Sequence, residues 1–199
     1  MERFYSLEAR ERIALTNQAR ENGEPLMERW AAMQPDFGDP WEGRAALAGG
    51  WLAEANTIAD LGCGTMNLER YLRAGQTYIP VDLTARDERT LILDLNRPSD
   101  LDRLPGADAC ALLGVLEYSY LPDALLEAVR RAYRQVVLTF NVRLDDQGLD
   151  ARLEHGWINH YSSDEIAALF AQHRFIVARE HLFAGRRRER LFDLRRDDA

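Results

Sequence analysis

The sequence predicts an α/β protein: an open, mostly parallel sheet of seven strands, finished by a C-terminal antiparallel hairpin and preceded by a helical N-terminal segment. Three observations carry this prediction. From Trp51 onward, short apolar runs alternate with amphipathic stretches, the pattern of strand–helix units that build a parallel sheet. The run Thr57-Ile58-Ala59-Asp60-Leu61 breaks at Gly62-Cys63-Gly64, as a buried strand does when it ends in a tight turn that a ligand can approach. The last two apolar runs, Phe175 to Leu182 and Glu189 to Leu194, flank a turn at Ala184-Gly185 and read as a hairpin.

The chain's 199 residues suit a single sheet domain over residues 51–199, with residues 1–50 as a helical cap or lid. No apolar run approaches the roughly 20 residues of a membrane span, and Met1 to Arg10 lacks the apolar core of a signal peptide. A cytoplasmic protein without a membrane partner is expected. The formal net charge of −8 repels phosphate backbones, which argues against nucleic acid as a partner. Cys63 and Cys110 are the only cysteines, too few for a disulfide framework or a zinc site, so no metal is expected.

In chain order, Leu7 to Asn22 reads as a helix ended by Gly23. Pro25 to Met33 follows, with Leu26, Met27, Trp30 and Met33 on one stripe, and Gln34 to Pro40 breaks the chain. Glu42 to Leu47 forms a third helix before Gly49-Gly50, and Trp30, Phe37 and Trp41 either pin these helices to the rest or form one wall of a substrate pocket. After the glycine turn, Asn67 caps a helix from Leu68 to Ala74. Strands follow at Tyr78–Leu83 and Thr90–Leu95; only Thr84 to Arg89 separates them, short of the dozen or so residues of a helical crossover, so a reduced loop is expected. Ala109–Leu113 and Gln135–Phe140 are strands on either side of a helix from Pro122 to Tyr133. Asn141 to Tyr161 is irregular. Ser162 and Glu165 then make a capping box for a helix running to His173. The basic cluster Arg186-Arg187-Arg188-Glu189-Arg190 falls at the hairpin tip and reads as a solvated charge run.

Ligands of such sheets lie beyond the carboxyl ends of the strands. Those ends carry Asp60 with Gly62 and Gly64, then Asp82, then Asp94 with Leu95. Asp82 follows Gly62 at about 20 residues, where a nucleotide-binding βαβ unit sets an acid against ribose hydroxyls. A carboxylate only accepts hydrogen bonds, and a ribose diol has two to give.

Ala59-Asp60-Leu61-Gly62-Cys63-Gly64-Thr65 resembles the first motif of class I methyltransferases that use S-adenosylmethionine, and the resemblance runs from about Trp51 to the C-terminus. It implies a Rossmann-like fold and S-adenosylmethionine as cofactor. By position, Gly62 and Gly64, next to Asp60, would pass beside its methionyl part. Asp82 would hold the ribose, Leu83 would pack on adenine or ribose, and Asp94 with Leu95 would meet the adenine. Leu113-Gly114-Val115-Leu116-Glu117-Tyr118 resembles the fourth-strand motif of that family, whose residues line the methyl-transfer site, which adds Gly114 to the cofactor contacts. Asn67, at the third position of a dinucleotide GxGxxG, counts against a nicotinamide enzyme. No Asn-Pro-Pro-Tyr-like stretch follows the fourth strand, which counts against methylation of DNA bases.

The expected function is therefore methylation of a small polar metabolite, a sugar or another biosynthetic intermediate, on oxygen or nitrogen. The alternative is a catalytically silent protein that binds the cofactor as a regulator or partner subunit. A base is required only if the nucleophile loses a proton during attack, and histidine is the usual one near neutral pH. His155 and His160 are the candidates, with Glu117 and Tyr118 after the fourth strand; Trp157, Asn159 and Tyr161 would shape the pocket. His173 and His181 fall in regular structure and are expected to be structural.

Overall fold

The computed structural model describes residues 2–32, 42–186 and 188–198. Its strands are β1 (Thr57–Leu61), β2 (Thr77–Asp82), β3 (Leu91–Ile92), β4 (Ala109–Leu113), β5 (Gln135–Asn141), β6 (Phe175–Leu182) and β7 (Glu189–Arg196). They form one sheet in the order β3-β2-β1-β4-β5-β7-β6. Strands β1 to β5 are parallel, and β7 runs antiparallel between β5 and β6. Strand order reverses between β1 and β4, and a crevice opens at such a switch point beyond the carboxyl ends.

Side-chain alternation divides the core into two layers. Ala59 and Leu61 of β1, Cys110 and Leu112 of β4, and Val136, Leu138 and Phe140 of β5 face one layer. Ile58, Ala109, Ala111 and Val137 face the other. The first layer is covered by α5 (Pro98–Leu101), α6 (Pro122–Ala132) and α8 (Ser163–Gln172) through Leu101, Leu125, Leu126, Val129, Ile166 and Phe170. The second is covered by Ala48 and Leu52, at and just beyond the end of α4 (Glu42–Trp51). Helix α8 carries the expected capping box between Ser162 and Glu165.

The N-terminal helices α1 (Glu2–Tyr5), α2 (Ala9–Asn22) and α3 (Met27–Ala31) lean on the loop after β5. Gly23 closes α2 with φ 66°, as expected. On the loop side, α7 (Asp150–Leu153) is the anchor: Thr16 Oγ1 donates to Leu153 O at 2.9 Å and Arg12 Nε to Glu154 O at 2.9 Å.

Several elements differ from the sequence-based expectation. The helix expected over Leu68–Ala74 is a single 3₁₀ turn, Asn67–Tyr71, entered through Met66 at φ 58° and so not capped by Asn67. Helix α4 takes the space instead: it continues through Gly49-Gly50 to Trp51, and a Cβ at Gly49 would stand 2.6 Å from Tyr71 O. The glycines thus let α4 press onto this turn rather than ending the helix, and α4 packs on the sheet. Strand β3 stops after two residues because Asp94 starts an Asx turn, its Oδ1 accepting from Asn96 N at 2.9 Å, that feeds the unexpected α5. The link between β2 and β3 is the expected loop, folded on Thr90 Oγ1, which accepts from Arg86 N and Asp87 N. Met33, the break at 34–40 with Phe37, Trp41 and Arg187 lie outside the described residues.

Candidate active site

A cavity of about 480 Å³ lies at the carboxyl ends of β1, β2 and β4. Its floor is two glycine turns: Gly62 and Gly114, each with φ 74°, follow β1 and β4. Without a Cβ at Gly62 the β4 turn can close on the β1 turn, since one would meet Val115 Cγ2 at 2.6 Å. A left-handed backbone in contact with a neighbouring chain segment is a position only glycine fills without strain.

On the β2 side, Asp82 Oδ2 accepts from Gly64 N at 2.8 Å, and Oδ1 accepts from Arg86 Nη2 at 3.0 Å and Thr84 N at 3.3 Å. Asp60 is buried beneath the turn and accepts from the Tyr78 hydroxyl at 2.7 Å. Loss of water pushes its carboxyl up to about 7, against the pull of the Tyr78 bond. Leu83, Leu93, Leu95 and Asn96 line the same side. Asp94 does not: its carboxylate pairs with Arg97 at 3.2 Å and its side chain caps the α5 turn.

The β4 and β5 side has different chemistry. Glu117 is fully buried and lines the cavity. Its Oε1 accepts from Asn141 N at 2.9 Å and Asn141 Nδ2 at 2.8 Å, while Oε2 has no hydrogen-bond partner. Burial raises the carboxyl above its ordinary range, and the Asn141 bonds pull it back in part. Tyr118 accepts from Trp157 Nε1 at 3.0 Å and Arg29 Nη2 at 3.3 Å, and its ring meets Trp30 edge-on at 4.7 Å. Arg29, in α3, is buried among the rings of Phe4, Tyr5, Trp30 and Tyr118. Arg44, from α4, donates to Leu113 O at 3.1 Å and shares Glu189 with Arg186, at 3.5 and 2.7 Å.

The two histidines part company. His155 lines the cavity, its ring 4.9 Å from Trp157; loss of water, only partly offset by Glu154, lowers its pKa. His160 is not among the lining residues. Its Nδ1 accepts from Arg152 Nε at 3.1 Å, and burial beside Arg152 holds it down to about 4, so at neutral pH it is an uncharged anchor. Arg152 is fully buried and also donates to Asn141 O and Asn159 O. Asn159 itself bonds Leu116 O and Ser119 O, and Tyr161 packs on Phe140; both are structural. His173, at the C-cap of α8, pairs with Asp123 at 2.9 Å, and His181 lies in β6.

Arg186 and Arg188 line the cavity, which corrects their reading as a solvated run. Residues that the sequence did not single out also line it: Arg29, Arg44, Arg86 and Asn141. Among the described residues no group of three or more His, Cys, Asp or Glu side chains is arranged to hold a metal ion, and no helix is long and apolar enough to cross a membrane.

No protein-family model and no curated sequence matches the chain. Solved structures do. Mitomycin 7-O-methyltransferase superposes with a TM-score of 0.62 at 18% identity, over 94% of this chain and 67% of its own. Magnesium protoporphyrin IX methyltransferase from Synechocystis PCC 6803, with bound SAH, gives 0.61 at 16% identity over 92% of this chain and 99% of its own. The fold is that of the class I methyltransferases. The same fold serves other chemistry: a 4+2 cyclase gives 0.64 at 12% identity over 79% of this chain and 81% of that one. Some similar structures are longer, and the chain spans 51% of a methyltransferase of calicheamicin biosynthesis.

Proposed function

We propose that this protein is an S-adenosylmethionine-dependent methyltransferase that methylates a small polar metabolite on oxygen or nitrogen. The observation that carries the reading is a shared cavity: the two glycine turns and Asp82 open into the same space as Glu117, whose Oε2 is buried and unbonded. The likeness to methyltransferases supports it, and so does the resemblance of the Asp60–Thr65 turn to their first motif. The cyclase of the same fold means that the site, and not the architecture, must carry the argument.

The residues fit the cofactor. Gly62 and Gly64 leave the backbone open to a ligand, Asp82 offers acceptors to the ribose once Arg86 yields its place, and Leu83 and Leu95 offer apolar surface to the adenine. Asp94 would reach the adenine through the turn that it caps. Bound S-adenosylmethionine supplies a sulfonium methyl group with a good leaving group already in place. What the protein adds is alignment, worth about 7–11 kcal/mol when well achieved, together with removal of the acceptor's proton. Glu117 takes that role: Asn141 fixes Oε1, leaving Oε2 to accept the proton of a hydroxyl or ammonium group. His155 stands at the rim as a neutral imidazole that can pass the proton on. Helices α1 to α3 cap the acceptor side.

The test is a screen of metabolite fractions with S-adenosylmethionine carrying a trideuterated methyl group, read by mass spectrometry. A product heavier by the labelled methyl is expected; cofactor binding without any labelled product would favour the silent binding protein.

A further inference from the structure

Several arginines converge on the acceptor side of the cavity. Arg29, Arg44, Arg186 and Arg188 line it, against Glu117 and Glu189 among the described residues. Glu189 is shared by Arg44 and Arg186, and Glu117 is held by Asn141. Arg188 is set apart from both. It is half-buried, its guanidinium lies 5.3 Å from the centre of the Trp157 ring, and no carboxylate of the described residues pairs with it. Fully buried Arg152 faces the same ring from 5.0 Å, without a carboxylate partner of its own.

A chain with a formal net charge of −8 has many carboxylates with which to neutralise an arginine, and none of those among the described residues pairs with Arg188. Desolvated positive charge is costly unless it is paired. A ligand that carries the missing negative charge removes the cost. Guanidinium groups favour carboxylate and phosphate because their planar N–H forks match two oxygens at once. The indole of Trp157, held by its bond to Tyr118, supplies a flat apolar wall beside that fork.

We propose that the methyl acceptor is an anion, carrying a carboxylate or phosphate group that Arg188 binds beside Trp157, with its methyl-accepting atom directed to Glu117. This rests on the methyltransferase reading for the word acceptor, but the anion site stands on its own geometry. Arg188 would then be a specificity-determining residue, since an uncharged analogue leaves it unpaired in the cavity.

The test is titration of the purified protein with inorganic phosphate and, separately, with malonate, at ionic strength held constant with sodium chloride. Tryptophan fluorescence is read in wild type, Arg188→Gln and the exposed control Arg103→Gln. Saturable quenching in wild type and Arg103→Gln, weakened at least ~10-fold in Arg188→Gln with an unchanged melting temperature, is the expected result. The tighter of the two anions identifies the group on the acceptor. Equal responses in wild type and Arg188→Gln, or no saturable response, would overturn the proposal. Titration with S-adenosylhomocysteine in the same samples keeps the readings apart: failure to bind it counts against the methyltransferase and leaves the anion result standing.

Discussion

The two sides of the cavity were built by different rules. The side proposed for the cofactor comes from consecutive strand ends: β1, its glycine turn and β2 supply Asp60, Gly62, Gly64 and Asp82 within one short stretch of chain. The side proposed for the acceptor is assembled from α1 to α3, the loop after β4, residues 155–158 and the start of β7, which are far apart in sequence. One side is a carboxylate surface under glycine turns; the other is arginines, aromatic rings and one buried glutamate.

The sharpest way to break this division is Glu117→Gln, which keeps the shape and the Asn141 contact but removes the proton acceptor. Turnover with the acceptor found by the deuteromethyl screen should fall ~100- to 10,000-fold, while S-adenosylhomocysteine affinity stays within about twofold. The acid limb of the pH–rate profile should vanish with it. A fall in cofactor affinity as large as the fall in turnover would put Glu117 on the cofactor side.

Asp60 gives a smaller effect, in stability. Its carboxyl is raised from 3.8 to about 7 in the folded protein. Stability from this group is therefore full below pH ~4 and is lost as pH rises through about 7, where the folded state must hold a buried charge. Asp60→Asn keeps the Tyr78 bond and should gain on wild type by up to about 3 kcal/mol between pH 4.5 and pH 8, read as the difference in unfolding free energy. A constant difference across that range would contradict the account.

His160→Gln should do least. Its ring accepts from buried Arg152 and does not line the cavity, so the cost is about 1 kcal/mol of stability with turnover preserved. A large loss of turnover at an unchanged melting temperature would return it to the chemistry.

The difference between the two sides also decides what could be read from the sequence. The seven strands, the antiparallel hairpin and the α6 and α8 boundaries follow from periodicity and capping, which are local. The crossover after β1 does not, because Gly49, distant in sequence, lets α4 occupy its place. Asp94 is not among the cavity-lining residues for a local reason that competes with strand extension: its side chain makes the Asx turn to Asn96. The arginines were visible as a cluster but not as a site. The signal was in the topology, since an antiparallel β7 begins where β5 ends: Glu189 is in register with Asn141. The hairpin tip therefore falls on the ligand edge of the sheet. His155 and His160 look alike in sequence, and only the position of Arg152 tells them apart.

The most direct test of the central claim is calorimetric titration of wild type and Asp82→Ala with S-adenosylmethionine, S-adenosylhomocysteine and NAD. The account predicts micromolar binding of both adenosyl ligands to wild type, at least ~10-fold weaker binding in the variant, and none of NAD. Silence from the adenosyl ligands in folded wild-type protein, or binding that Asp82→Ala leaves untouched, would contradict it.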